Sequence, residues 1–370
     1  MRAAVVGVGG TGSSALWRLA RAGHDVTGYE QFTVGHAHGS SHGETRIIRY
    51  TYPDALYSGL MAAGFRHWRE LEEFSGEALL VTCGGLFLGV SGDPNVESCA
   101  RALESGGVAY ERLSAAETND RFPAIHLEPG EEAVYQSEGG FLRAGDCVRA
   151  NAGLARFYGA DLREQCPVRR IEARDGRAAV VTDAGAEMYD RVIVTAGAWM
   201  GSMFAGLGLP LTVTRQQIAY LGISGSAEDL QPGVMPVWID ATTNYYGFPA
   251  DSRIPGIKVA LHYPGEPVDP EHVDRQVDMK TLDALVEYAG RRLPGVTQEL
   301  THTSVCLYTS TPNEDFIVDA VPDIPGAWIV SGCSGHGFKF TQLLGQIAAD
   351  LAVDGSTPHD IRRFALSNFV

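Results

Sequence analysis

The chain has 370 residues, 45% of them hydrophobic, with 29 Lys and Arg against 45 Asp and Glu and a formal net charge of -16. That is enough for two domains or one large α/β unit, and too apolar for a disordered chain. The acidic balance argues against nucleic acid and anionic membrane as partners, since either would need a basic face; small anionic substrates stay open because they read only the local field.

The first strand is expected over Ala3 to Val6, which leaves no room before it for a signal peptide. Gly7, Gly9 and Gly12 follow in GVGGTG, then an amphipathic helix with Leu16, Leu19 and Ala20, a stop at Gly23, and a second strand ending at Glu30. The first glycine allows the tight turn, the second lets backbone approach a pyrophosphate, and the third lets the helix pack on the strand. The helix N-terminus turns free N–H groups toward the phosphates. Glu30 stands where a carboxylate takes ribose hydroxyls and disfavours a 2′-phosphate. NAD and FAD carry the same adenosine diphosphate half, so the motif does not separate them.

The glycine- and histidine-rich stretch VGHAHGSSHGETRIIRY comes next, followed by a helical pattern from about Leu56 to Glu73. Leu79 to Leu142 reads as strands around one surface helix near Val96 to Ser105. Asp175 and Gly176 mark a hairpin, and an apolar strand runs into Ala196 to Trp199. Strands dominate again from Leu211 to about Leu300, with one helix near Thr281 to Leu293. The end returns to α/β, with FIVDAVP, a strand at WIVSG, a glycine loop and a helix carrying Leu343, Leu344, Ile347 and Leu351. This order predicts a Rossmann-type nucleotide-binding unit built from discontinuous segments, with a β-rich unit between them.

Six cysteines (Cys83, Cys99, Cys147, Cys166, Cys306, Cys333) show no CxxC and no metal-type spacing, and are expected to be reduced thiols of a soluble cytoplasmic protein. His36, His38 and His42 lack matched carboxylate or thiolate ligands, so no metal is expected. Lysine occurs only at Lys258, Lys280 and Lys339, in a chain that otherwise writes arginine. Lysine retained at so few places marks positions where a compact or titratable ammonium matters.

HGSSHGETRIIR, YYGFP, VCLYTSTPNEDF and SGCSGHGFKF, in this order and spacing through nearly the whole chain, resemble the FAD-dependent amine oxidases of the monomeric sarcosine oxidase and N-methyltryptophan oxidase type. The resemblance implies FAD, attached through a thioether to Cys306. It implies residues 1–80, 144–212 and 303–370 for the FAD-binding domain, and 81–143 and 213–302 for the substrate domain. Thr45, Val168, Gly335, His336, Gly337, Phe338 and Lys339 join Gly7, Gly9, Gly12 and Glu30 as cofactor-binding residues. Arg46 and Arg49 match the family's T-R-x-x-R. A strand would send them to opposite faces, a turn or helix to one side. The resemblance places Arg46, with His42, by the flavin and gives the substrate carboxylate to Arg49 and Lys339, since a guanidinium fork suits a carboxylate. Lys258 aligns with the oxygen-activating lysine. His262, on the same face if the stretch is a strand, aligns with an active-site histidine, and Tyr246 and Tyr308 wall the pocket. Ser41 and Tyr50 stand where the family usually has histidine.

The implied activity is oxidation of secondary, N-methylated α-amino acids, by hydride transfer to FAD and return of the electrons to O2. The products are H2O2 and an imine, which water splits to formaldehyde if the N-methyl carbon is oxidised. Alternatives are oxidation of a cyclic amino or imino acid, an NAD-linked dehydrogenase, and a non-catalytic flavin-binding protein. The expected partners are a small amino acid and O2, with the chain a monomer or small homo-oligomer.

Overall fold

The computed structural model describes residues 1–224, 227–251, 253–262 and 265–369. Strand Arg2–Val6 lies inside a six-stranded sheet ordered Ile317–Ala320, Ala327–Ser331, Arg191–Val194, Arg2–Val6, Asp25–Tyr29, Asp161–Arg163. Its neighbours run parallel except Ile317–Ala320, which is antiparallel. A parallel sheet needs cover on both faces, which is why its central strands Arg2–Val6, Arg191–Val194 and Ala327–Ser331 are mostly apolar. Ala3 and Val5 pack into a core with Leu16, Trp17, Leu343 and Ile347 of helices Gly10–Arg21 and Thr341–Asp354. Ala4 and Val6, on the other face, meet Ile171, Ala178, Val180 and Tyr189 of a three-stranded antiparallel sheet. In that small sheet Arg174 pairs with Arg177 around Asp175 and Gly176, whose φ values of 48° and 72° suit the expected hairpin turn.

The second large sheet is mixed. Thr212–Ile223 pairs on one edge with Val296–Ser310 and on the other with Ile257–Leu261; beyond these lie Tyr245–Gly247, Val237–Asp240, Gly85–Val90, Glu131–Gln136 and Glu111–Ser114. Its alternation sorts residues onto two faces. Ala219, Leu221, Ile257, Val259 and Trp238 pack against Leu282, Leu285 and Tyr288 of helix Met279–Arg292. The opposite face carries Ile218, Tyr220, Ala260 and Cys306, with Tyr246 and Tyr308 against them. Arg292 ties helix to sheet, donating to Glu131 at 2.7 and 2.8 Å and to the buried Asp240 at 3.2 Å.

The expected helices near residues 56–73, 96–105 and 281–293 form as Ala55–Ser75, Pro94–Ser105 and Met279–Arg292. Two more helices carry weaker sequence signals. Ala115–Arg121 is announced only by its capping box, Ser114 with Glu117. In Ala144–Phe157 alanines and glycines blur the apolar period. The T-R-x-x-R segment is a strand, Arg46–Ile48, paired with Gly140–Leu142; Arg49 lies just past its end, released from strict alternation. Among the described residues no helix is long and apolar enough to cross a membrane.

Candidate functional site

Two adjoining cavities meet between the sheets. The first, about 390 Å³, opens over Gly7, Gly9, Gly10 and Glu30 at the C-terminal end of the parallel strands. Helix Gly10–Arg21 starts there with Gly9 as a cap that has no side chain to cover the helix N-terminus, leaving backbone donors and the positive dipole end for an anion. Glu30 is buried and braced, accepting from Val8 N at 2.9 Å and Phe32 N at 3.0 Å. Ser41 Oγ accepts from Gly10 N at 3.0 Å, so this residue belongs to the anion end of the cavity. Gly12 does not line the cavity. A Cβ there would stand 1.9 Å from the carbonyl oxygen of Gly7, so its service is close packing of helix on strand.

The second cavity, about 410 Å³, lies on the face of the mixed sheet opposite helix Met279–Arg292 and is lined by Tyr246, Lys258, His262, Arg49 and Lys339 among others. Arg46, Cys306, Tyr308, Gly335 and Phe338 line both cavities and form the border between them. Cys306 and Tyr308, two apart on strand Val296–Ser310, point the same way by strand alternation. Gly335 has φ +71°, and a Cβ on it would come within 2.2 Å of the Tyr308 ring, so only glycine lets this loop touch the border tyrosine.

Positive charge is concentrated at this junction. The Lys258 ammonium, buried, donates to the carbonyl oxygen of Thr45 at 2.9 Å and to its hydroxyl at 3.1 Å. The Lys339 ammonium, also buried, donates to Tyr52 Oη at 2.9 Å and to the carbonyl oxygen of His336 at 2.7 Å. The Arg49 guanidinium stacks on the Tyr52 ring at 4.3 Å, and its enclosed Nε has no partner. Neither Arg49 nor Lys339 forms an ion pair among the described residues. Burial, then the charge of Arg46, lowers the Lys258 pKa well below the usual lysine value; burial, then Arg49, does the same for Lys339. Burial, followed by Lys339 and Arg49, pushes His262 down to about 4, so it is neutral at pH 7, 3.4 Å from the Tyr308 hydroxyl. Burial also raises the Cys306 thiol and the Tyr246 and Tyr308 phenols. Such a junction can hold an anionic group against two unpaired cations while keeping its histidine and phenols uncharged.

The residues expected to bind the cofactor divide between the two cavities. Gly7, Gly9, Glu30, Val168, Cys306, Gly335, Gly337 and Phe338 line the first cavity. Thr45, His336 and Lys339 line only the second, because their segments turn past the border. His42 lines neither; its Nε2 is buried without a partner and burial lowers its pKa to about 3. Tyr52, unmarked by the sequence reading, touches both unpaired cations. Its only local signal is its place three residues after Arg49. Of the three lysines, the two buried ones are in the site and Lys280 is exposed.

A family model described as DAO, FAD dependent oxidoreductase, matches residues 2–351. Monomeric sarcosine oxidase of Streptomyces avermitilis is 33% identical over 367 residues, 97% of this chain and 95% of that protein. N-methyl-L-tryptophan oxidase of Yersinia pestis is 30% identical over 369 residues, 99% of this chain and 98% of that protein. Among solved structures, NikD, described as an unusual amino acid oxidase essential for nikkomycin biosynthesis, is similar with a TM-score of 0.85 at 26% identity, covering 98% of this chain and 96% of that one.

Proposed function

Because the chain belongs to the DAO family of FAD-dependent oxidoreductases, we propose that it oxidises secondary α-amino acids, N-methylated ones in the first place, with O2 as final acceptor. The observation that carries this reading is the pair of cations without anionic partners, Arg49 and Lys339, facing a cavity that shares a wall with the nucleotide cleft. Two cations around one enclosed space call for a carboxylate.

The residues of the first cavity suit FAD. The uncapped helix start would take the pyrophosphate, Glu30 the ribose hydroxyls, and the border of Arg46, Cys306, Tyr308, Gly335 and Phe338 the ring. Cys306 is proposed to carry the covalent link, and residues 1–80, 144–212 and 303–370 to make up the FAD-binding part, with 81–143 and 213–302 the substrate part. When bound, the flavin supplies two-electron oxidation of the C–N unit and passes the electrons to O2.

The protein's own part is binding, orientation and charge. Arg49 and Lys339 anchor the carboxylate, which sets the amine and its N-methyl carbon against the border. Neutral His262 and the phenols of Tyr246 and Tyr308 bring no charge of their own to the reacting amine. With bound flavin as the two-electron acceptor, the amine would lose a hydride equivalent from carbon and its N–H proton, leaving a C=N bond that water splits into an amine and a carbonyl compound. Lys258, held by Thr45, places positive charge where O2 takes up electrons. A second reading is oxidation of a cyclic amino or imino acid in a biosynthetic pathway; the similar NikD is described as an amino acid oxidase essential for a biosynthesis. A peroxide and formaldehyde assay across N-methyl and cyclic amino acids decides. Peroxide with stoichiometric formaldehyde supports the first reading, peroxide without formaldehyde the second, and a colourless protein with no turnover refutes both.

A further inference from the structure

The Lys339 ammonium has three N–H donors. One goes to Tyr52 Oη at 2.9 Å and one to the carbonyl oxygen of His336 at 2.7 Å, which leaves one for a ligand. An ammonium has no lone pair, so the Tyr52 oxygen must accept, and its single O–H proton has to go elsewhere. His336 Nδ1 lies 3.1 Å from that oxygen. On the far side of the ring, His336 Nε2 lies 2.9 Å from the carbonyl oxygen of Glu314. A carbonyl offers no proton, so Nε2 carries one, and in the neutral ring Nδ1 is then bare and accepts from Tyr52. Both ends being set, every proton in the chain has one place: Lys339 to Tyr52, Tyr52 to His336, His336 to Glu314.

The ring cannot easily turn out of this arrangement. It stacks on Phe316 at 5.0 Å and meets Tyr57 edge-on at 5.1 Å. Burial and the Lys339 charge disfavour the imidazolium, which would set a donor on Nδ1 against the Tyr52 proton. Tyr52 also serves the other cation, whose guanidinium lies over its ring.

We propose that Tyr52 and His336 are positioning residues of the carboxylate clamp, that they aim the free N–H of Lys339 at the bound acid, and that His336 is held as the neutral Nε2–H tautomer. This rests on the reading that Arg49 and Lys339 bind a carboxylate. It assigns His336 to the substrate side rather than to the cofactor.

The test has two arms on the holoenzyme. With 15N-labelled histidine, and the His336 signals identified by their loss in His336→Gln, the wild type at pH 7 is expected to show a proton on Nε2 and a bare, hydrogen-bonded Nδ1; Tyr52→Phe is expected to shift Nδ1 toward the free-acceptor value. In kinetics with an N-methyl amino acid, Tyr52→Phe is expected to raise KM about tenfold, the usual size of one charge-assisted hydrogen bond, with kcat nearly unchanged. The KM of the corresponding methyl ester is expected to stay where it was. A proton on Nδ1, or an unchanged KM for the acid in Tyr52→Phe, overturns the positioning role. Equal wild-type KM for acid and ester overturns the carboxylate reading and with it the aim of the relay, whereas the tautomer arm still reports on the hydrogen-bond chain alone.

Discussion

Lys258 meets Thr45 twice, through the carbonyl oxygen at 2.9 Å and the hydroxyl at 3.1 Å. Strand alternation sends Lys258 to the cavity face while its neighbours Ile257 and Val259 enter the core, and Thr45 then fixes where its ammonium sits. The Phe248 ring, 4.5 Å away, completes the enclosure.

Lys258→Met is therefore expected to slow the oxygen-consuming half of turnover by about 100-fold, the usual loss when one preorganised electrostatic donor is removed, and the substrate-consuming half far less. Rapid-mixing traces of the two half-reactions check this. A collapse confined to the anaerobic half would assign Lys258 to substrate handling instead.

Cys306 stands on the border of both cavities, buried, where a thioether to a ring held in the first cavity would form. Acid precipitation of the wild type is expected to leave the yellow colour in the pellet, and Cys306→Ser to release it to the supernatant. Colour wholly in the supernatant of the wild type would leave Cys306 as a packing residue.

Arg49 and Lys339 should make the enzyme prefer a free acid over its methyl ester by at least about 30-fold in kcat/KM, since stranding partly desolvated cations costs roughly 2–5 kcal/mol. Arg49→Met and Lys339→Met are each expected to shrink the preference by weakening turnover of the acid. The pH dependence has a definite sign. Lys339 holds its proton less firmly than an ordinary lysine, and a carboxylate binds the ammonium form. Affinity for the acid is thus full below the free enzyme's Lys339 pKa and falls as pH rises through it, beginning below the usual lysine range; the ester lacks this loss. An acid preference that is flat to pH 10.5 would count against Lys339.

Arg292 holds helix Met279–Arg292 onto the mixed sheet through Glu131 and the buried Asp240, which also accepts from the Tyr288 hydroxyl at 2.9 Å. Arg292→Met strands one buried carboxylate and is expected to cost about 3 kcal/mol of stability. Urea unfolding reads it as a lower midpoint at unchanged slope. Asp240→Asn added to Arg292→Met is expected to recover part of the loss; no loss at all in the single variant would mean that water replaces the guanidinium.

The nucleotide turn was legible because its signal is local. Gly7, Gly9, Gly12 and Glu30 belong to one strand, helix and strand in succession, and each residue's task follows from backbone geometry over 30 residues. The two buried lysines were legible by their rarity, and Cys306 only through resemblance. The helix Ala115–Arg121 could have been read from Ser114 and Glu117; the helix Ala144–Phe157 could not, because small residues pack well on either face and give little periodic contrast. Thr45, His336 and Lys339, expected at the cofactor, line the second cavity rather than the first, and the sequence did not show that division. A loop between two cavities serves both, and sequence proximity to Gly335 does not say which way the next side chain turns.

By itself the sequence determined the chain's local grammar: a dinucleotide turn at the start, the alternation expected to put Lys258 and His262 on one face, and an acidic balance that argues against polyanionic partners. Tertiary structure alone decided the clamp. Tyr52 and Lys339 are 287 residues apart and Tyr52 and His336 are 284 apart, and no periodicity or propensity acts over that distance. They meet because the strand Arg46–Ile48 and the loop before helix Thr341–Asp354 are brought to the same edge of the cavity by the packing of two sheets. Which donors stay unpaired there is set by the hydrogen bonds that this packing permits.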